Sequence, residues 1–138
     1  MILIGANVAV YALELLLGGT IQGTSNWIYQ RFALVAVGAY NGDALIAIPP
    51  EAVIPPGFPL VGVAEGEWWR LISSAFLHYG PFHLAMNVFA LYFAGSILEQ
   101  AIGRWRFLLL YLVSGLAGAA GALYWSPDAV TVGASGDQ

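Results

Sequence analysis

Polar residues are so sparse along this chain that its organisation is read from where they interrupt the apolar runs. Ile2 to Leu17 is apolar except for Asn7 and Glu14. With no basic leader and no small-residue cleavage site, the run fits a signal peptide less well than a first spanning helix over 1–18. Its length lies near the lower limit of roughly 17 residues for a crossing, as for a helix short of an N-terminal turn. A large first loop is expected over 19–80. It holds Pro49-Pro50, Pro55-Pro56 and the turn signal Tyr40-Asn41-Gly42-Asp43. The runs Phe32 to Val37 and Leu45 to Ile48 are too apolar for a disordered linker. The pattern predicts a structured loop against the membrane interface, a depth that suits Trp27, Tyr29, Trp68 and Trp69.

A second spanning helix is predicted over 81–100, entered through an amphipathic lead-in from Leu71 to His78. Pro81 fits its first turn, where the missing N–H costs nothing. A third is predicted over 106–125, closed by Ser126-Pro127-Asp128. Between them, Ile102-Gly103-Arg104-Trp105-Arg106 places two arginines in a short connection. Such a connection belongs on the cytoplasmic side, which puts the N-terminus there too. Ser114, Gly115, Gly118 and Gly121 recur at helix spacing in the third span and predict a face that a neighbouring helix approaches closely.

Composition supports the membrane reading. Of 138 residues, 59% are hydrophobic and 9% charged, against about a quarter charged in ordinary globular domains. The mean hydropathy is +0.76. All four cations are arginines (Arg31, Arg70, Arg104 and Arg106), and the formal charge is −4. Nucleic acid is not an expected partner, because neutralising phosphates takes clustered Lys and Arg. The absence of cysteine excludes a disulfide scaffold and a thiolate zinc site.

Candidate chemistry begins with polar groups inside an apolar helix. His83 and Asn87, at i and i+4, share one face of the second span, and His78 lies just before it. Such groups are costly in a bilayer and face protein or a water-filled cavity. They can serve as interhelical hydrogen-bond glue. A metal site is the other generic reading, but His78 and His83 lack a third ligand nearby, and a catalytic zinc needs three. Near the C-terminus stands Gly133-Ala134-Ser135-Gly136. A serine between glycines at a helix start offers a nucleophile in an N–H-rich surround that stabilises a developing oxyanion. With His83 and Asn87 it makes half of an acyl-transfer site: Ser135 attacks, and the two side chains hold the oxyanion.

Together these stretches resemble the rhomboid family of intramembrane serine proteases. The matches run in order: Gly66-Glu67-Trp68-Trp69-Arg70-Leu71-Ile72; the stretch Phe76 to Asn87 with its two histidines and asparagine; Gly95 to Gly103 with Glu99; and Gly133 to Gly136. The resemblance implies an all-α membrane protein, with about three spanning helices and the start of a fourth out of a six-helix fold. Residues 1–138 would form a partial rhomboid domain, 133–138 being the nucleophile loop and helix start. It implies Ser135 as nucleophile, framed by Gly133 and Gly136, with an oxyanion hole from His83 and Asn87. Trp69, Arg70, His78 and Glu99 become structural residues near the site. No metal or cofactor is expected; the expected partners are transmembrane protein substrates and the lipid bilayer, and the expected location is the plasma membrane of a prokaryote.

The family pairs its serine with a histidine on the sixth helix, whereas here Asp137-Gln138 follow the motif and both histidines align with second-helix positions. A serine hydroxyl is a poor nucleophile without a base. The chain is therefore expected to be the N-terminal half of a rhomboid, inactive alone. Two competing readings are a non-catalytic rhomboid-like pseudoprotease that binds transmembrane clients, and a three-span structural protein with polar helix glue.

Overall fold

A computed structural model of the protein describes residues 2–17, 27–42 and 44–131. Helix α1 (Ile2–Leu16) buries Leu3, Asn7, Tyr11 and Glu14. At i, i+4, i+8 and i+11 these form one stripe, while Val8, Leu13 and Leu16 point outward. The helix is thus inverted relative to a soluble amphipathic helix: polar groups go inward, where protein can satisfy them, and aliphatic ones face outward. Asn7 donates from Nδ2 to the Leu3 carbonyl at 2.8 Å. The 15 residues of α1 make it shorter than the other two apolar helices.

Those two are Pro81–Ile102 (α4) and Arg104–Trp125 (α5), each 22 residues long. At ~1.5 Å per residue each reaches about 33 Å, enough for a hydrocarbon layer of ~30 Å. Phe82, Phe89, Ile97, Leu109 and Trp125 are all exposed, the reverse of a core helix in a soluble domain. The chain is a mostly helical membrane protein. A π-helical turn, Leu91–Gly95, interrupts α4. It carries Gly95 against Phe107, where a Cβ would lie 3.0 Å from the ring. Gly103 alone joins the two helices, at φ 87°.

Between α1 and α4 the connection folds into a small layer. Helix α2 (Trp27–Phe32) leads into strands β1 (Gly38–Asn41) and β2 (Ala44–Ala47), paired antiparallel with Gly38 opposite Ala47. The hairpin is not anticipated from the sequence; Gly42 of the Tyr40-Asn41-Gly42-Asp43 signal lies in its turn, and Asp43 lies outside the described residues. Its core joins Ile28, Ala33, Val35, Leu45 and Leu77. The layer then returns through a close approach at Gly62, whose φ is 125° and whose added Cβ would sit 2.7 Å from the Ala36 carbonyl oxygen. A side chain is excluded there on both counts. Helix α3 (Arg70–Ser73) and a 3₁₀ turn, Ser74–Phe76, follow and pack on α5.

On α5 the small-residue face is used unevenly. A Cβ on Gly115 would meet Ala75 at 3.9 Å, and Ala119 is buried with Leu34 and Val63, but Gly118 and Gly121 have open space beside them. A cavity of about 300 Å³ borders this face, lined by residues that include Leu34, Ser74, Tyr111, Ser114, Gly118 and Thr131.

Candidate functional site

The polar stripe of α1 meets the residues that enter α4. Here the chain leaves the 3₁₀ turn and passes through Leu77, His78 and Tyr79. It starts the next helix with extended Gly80 (φ 172°) and Pro81. His78 is 7% exposed. Its ring lies edge-on to Tyr11 at 6.2 Å between centroids and to His83 at 5.4 Å. The Phe76 carbonyl faces the ring, but neither ring nitrogen completes a hydrogen bond of good geometry with it or with any other described residue. Burial pushes the His78 imidazole down to about 4, the neighbouring His83 adds to this, and the Phe76 carbonyl opposes it. At neutral pH the ring is uncharged. Its backbone N–H donates to the Glu14 carboxylate, itself in a side chain only 6% exposed.

His83 and Asn87 follow one helical turn apart on α4, both half-buried. Helix α4 packs on α1, so the His83 end of the pair sits beside the inward stripe. Glu99 lies elsewhere: sixteen residues beyond His83, it is roughly 24 Å further along the helix at ~1.5 Å per residue. There it meets Arg104 at 3.5 Å across the Gly103 junction.

Arg70 is fully buried and ties the loop layer to α3. Its Nε donates to Glu67 at 2.7 Å, and its Nη1 donates to the carbonyls of Gln30 at 2.9 Å and Ala33 at 2.8 Å. Glu67 also accepts the Gly62 N–H at 2.9 Å. Trp69 donates from its indole to the Arg31 carbonyl at 3.3 Å, and Ser73 donates to the Phe32 carbonyl at 3.0 Å. Burial and the nearby Tyr79 both push the Tyr29 phenol above its usual range.

Ser135, Gly133 and Gly136 lie outside the described residues. The chain enters that segment from Thr131, which is clamped to Leu34 by two backbone hydrogen bonds of 2.8 Å. Thr131 also lines the cavity beside α5. Among the described residues no three potential ligands converge on a metal position. Sequence reasoning missed Tyr11 and Glu14 as members of the His78 surround. The available signal was the spacing Asn7, Tyr11, Glu14, which puts three polar-tipped side chains on one face of an otherwise apolar helix.

The family described as the Rhomboid domain matches residues 65–138, a stretch holding His78, His83, Asn87 and Ser135. The rhomboid protease GluP of Bacillus subtilis is 45% identical over 74 residues, covering 54% of this chain and 14% of that protein. RHOMBOID-like protein 2 of Arabidopsis thaliana is 43% identical over 74 residues, covering 54% of the chain and 24% of the relative. RHOMBOID-like protein 1 of the same plant is 29% identical over 133 residues, covering 95% of the chain and 34% of the relative. The chain thus spans about a third or less of the length of these relatives. No solved structure matches it.

Proposed function

This chain belongs to the rhomboid family, and from that premise we propose that it carries the nucleophile and oxyanion hole of an intramembrane serine endopeptidase. Its substrates are transmembrane segments of other membrane proteins, reached within the bilayer. Ser135 is the nucleophile: its Oγ bonds to the scissile carbonyl carbon, and the carbonyl oxygen becomes an oxyanion. His83 and Asn87 donate to that oxyanion, with the Ser135 backbone N–H as a third donor. Fixed donors in a water-poor site stabilise developing charge without reorganising, and one such donor is worth roughly 10²–10³ in kcat.

The observation that carries this reading is the half-buried pair His83 and Asn87 on one face of an apolar helix, preceding a glycine-flanked serine. The general base comes from outside these 138 residues. An imidazole held near 4 by burial, as His78 is, is a weak base at neutral pH, where an efficient one has a pKa near 7. His83 is committed to the oxyanion. The 138 residues by themselves are therefore catalytically silent. A second reading is a non-catalytic rhomboid-like protein that holds transmembrane clients.

Fluorophosphonate labelling in membranes tests both. The complete protein is expected to label, Ser135→Ala to abolish labelling, and the 138-residue chain to stay unlabelled. Labelling that persists in Ser135→Ala overturns the nucleophile. Labelling of the 138-residue chain that vanishes in Ser135→Ala overturns the external base. No labelling of the complete protein, with a transmembrane client retained, establishes the second reading.

A further inference from the structure

Glu14 is a buried carboxylate in an apolar helix, and the proposed chemistry makes no use of it. A charge-capable group is expensive at such a place and needs a partner. Its partner is the backbone N–H of His78, two residues before the Gly80–Pro81 start of α4. One helical turn below Glu14, the Tyr11 ring takes the edge of the His78 imidazole at 6.2 Å and 86° between planes. The opposite neighbour of that imidazole is His83, at 5.4 Å and 63°. Glu14, Tyr11 and His78 are each at most 9% exposed, so the three form a packed column from α1 to the His83 ring. The groups facing His78 are thus Tyr11 and Glu14 from α1, His83 from α4 and the Phe76 carbonyl from the preceding turn.

We propose that Glu14 is a positioning residue for His83: by holding the His78 backbone it seats the His78 ring, whose edge contact fixes the plane of the His83 imidazole. The inference rests on the reading of His83 as an oxyanion donor. Such a donor must be held within about 0.5 Å and 10–20° of its productive geometry by side chains behind it. A half-buried histidine is held by the groups packed against it, and for His83 the His78 ring is one of them. The column from α1 contributes that restraint through His78, and it gives α1, which contains no reacting group, a direct mechanical part in the site.

The test uses the fact that the chain contains two histidines. The 138-residue chain, labelled with ¹⁵N-histidine in bilayers, gives two imidazole spin systems, assigned with His78→Phe. Wild type and Glu14→Gln, which keeps an acceptor oxygen, are expected to show His83 as one narrow signal set with a single tautomer. In Glu14→Leu the His83 signals are expected to split or broaden while helix content by circular dichroism stays unchanged. Should Glu14→Leu fail to fold, His78→Leu breaks the column one link later and is expected to disorder His83 in the same way. His83 signals unchanged in a folded Glu14→Leu, or in His78→Leu, overturn the proposal.

This reading of ring order needs no proteolysis. An unlabelled Ser135 in the complete protein would therefore sink the protease reading while leaving the NMR result standing. In the complete protein, Glu14→Leu is expected to lower kcat by on the order of tenfold to a hundredfold with KM unchanged, and Glu14→Gln to restore it. A raised KM with unchanged kcat overturns the positioning role.

Discussion

Replacing Arg70 by alanine is the most informative single perturbation of this fold. The guanidinium is fully buried and bonds three acceptors, two of them carbonyls 37 and 40 residues earlier in the chain. Removing it leaves Glu67, whose side chain is 13% exposed, without its cation. Breaking one partner of a buried ion pair costs about 3–5 kcal/mol. The Ala33 carbonyl loses a partner as well, at about 1–3 kcal/mol if it stays dry. The Gln30 carbonyl keeps a long contact at 3.4 Å from the Tyr40 hydroxyl and loses less. These costs do not simply add, because the space vacated by arginine admits water to both carbonyls and to Glu67. The ion-pair figure of about 3–5 kcal/mol is therefore the expected total. At roughly 3–5 °C per kcal/mol for a chain of this size, the melting temperature in detergent falls by about 10–25 °C. Arg70→Lys keeps the charge but not the planar fork, and so is expected to recover part of the loss. In a double-mutant cycle, Glu67→Gln with Arg70→Met should be less damaging than the sum of the singles. An Arg70→Ala melt within about 2 °C of wild type, at a precision set by replicate scans, would refute this account of the loop layer.

Further outcomes follow from other contacts. Gly62→Ala places a side chain at φ 125° and 2.7 Å from a carbonyl oxygen, and is expected to destabilise by about 1–3 kcal/mol in the same melt. His83→Leu and Asn87→Leu in the complete protein should each reduce cleavage of a transmembrane reporter by roughly 10²–10³ without changing the melt; tolerance of both would favour the structural-glue reading. The His78 imidazole is held at about 4 when folded, against ~6.5 when unfolded, so the unfolded chain binds the proton first. Its stabilising contribution is complete above pH ~6.5 and is lost as pH falls toward ~4, by at most about 3 kcal/mol. His78→Phe should flatten that part of the stability profile, and an unchanged slope would show that another group governs it.

Much of this arrangement is legible in the sequence because lipid imposes a simple rule: long apolar runs become helices. The start of α4 follows from Pro81, whereas α4 and α5 each run two residues closer to Gly103 than the spans 81–100 and 106–125 expected from the sequence; the shared face of His83 and Asn87 follows from four-residue spacing. Arg70 could be singled out as unusual, but its acceptors could not. Two are backbone carbonyls, which every residue carries, so composition gives no hint of which are left for an arginine to satisfy. The hairpin of 38–47 was concealed for a related reason. Gly38, Ala39, Ala44 and Ala47 have weak strand preference, and the strands exist because Val61 and Val35 supply backbone partners and a core to pack on. The inward stripe of α1 was hidden by the expectation that Asn7 and Glu14 merely interrupt a span. Their common face acquires meaning only with His78, more than sixty residues away, placed against it.

That stripe also bears on how the chain is made. A ribosome presents α1 to the membrane before α4, with Asn7 and Glu14 carrying an insertion penalty and Glu14's eventual neighbour His78 not yet synthesised. An acidic residue near the middle of a helix costs about 2.5–3.5 kcal/mol on insertion scales, and less toward the ends. At roughly 5–20 residues per second, α4 emerges several seconds later. During that interval α1 is a poor occupant of lipid, and a protein-lined exit with polar walls is the better host. Release of α1 into the bilayer is thereby coupled to the arrival of α4, so α1 becomes settled only when α4 packs against it.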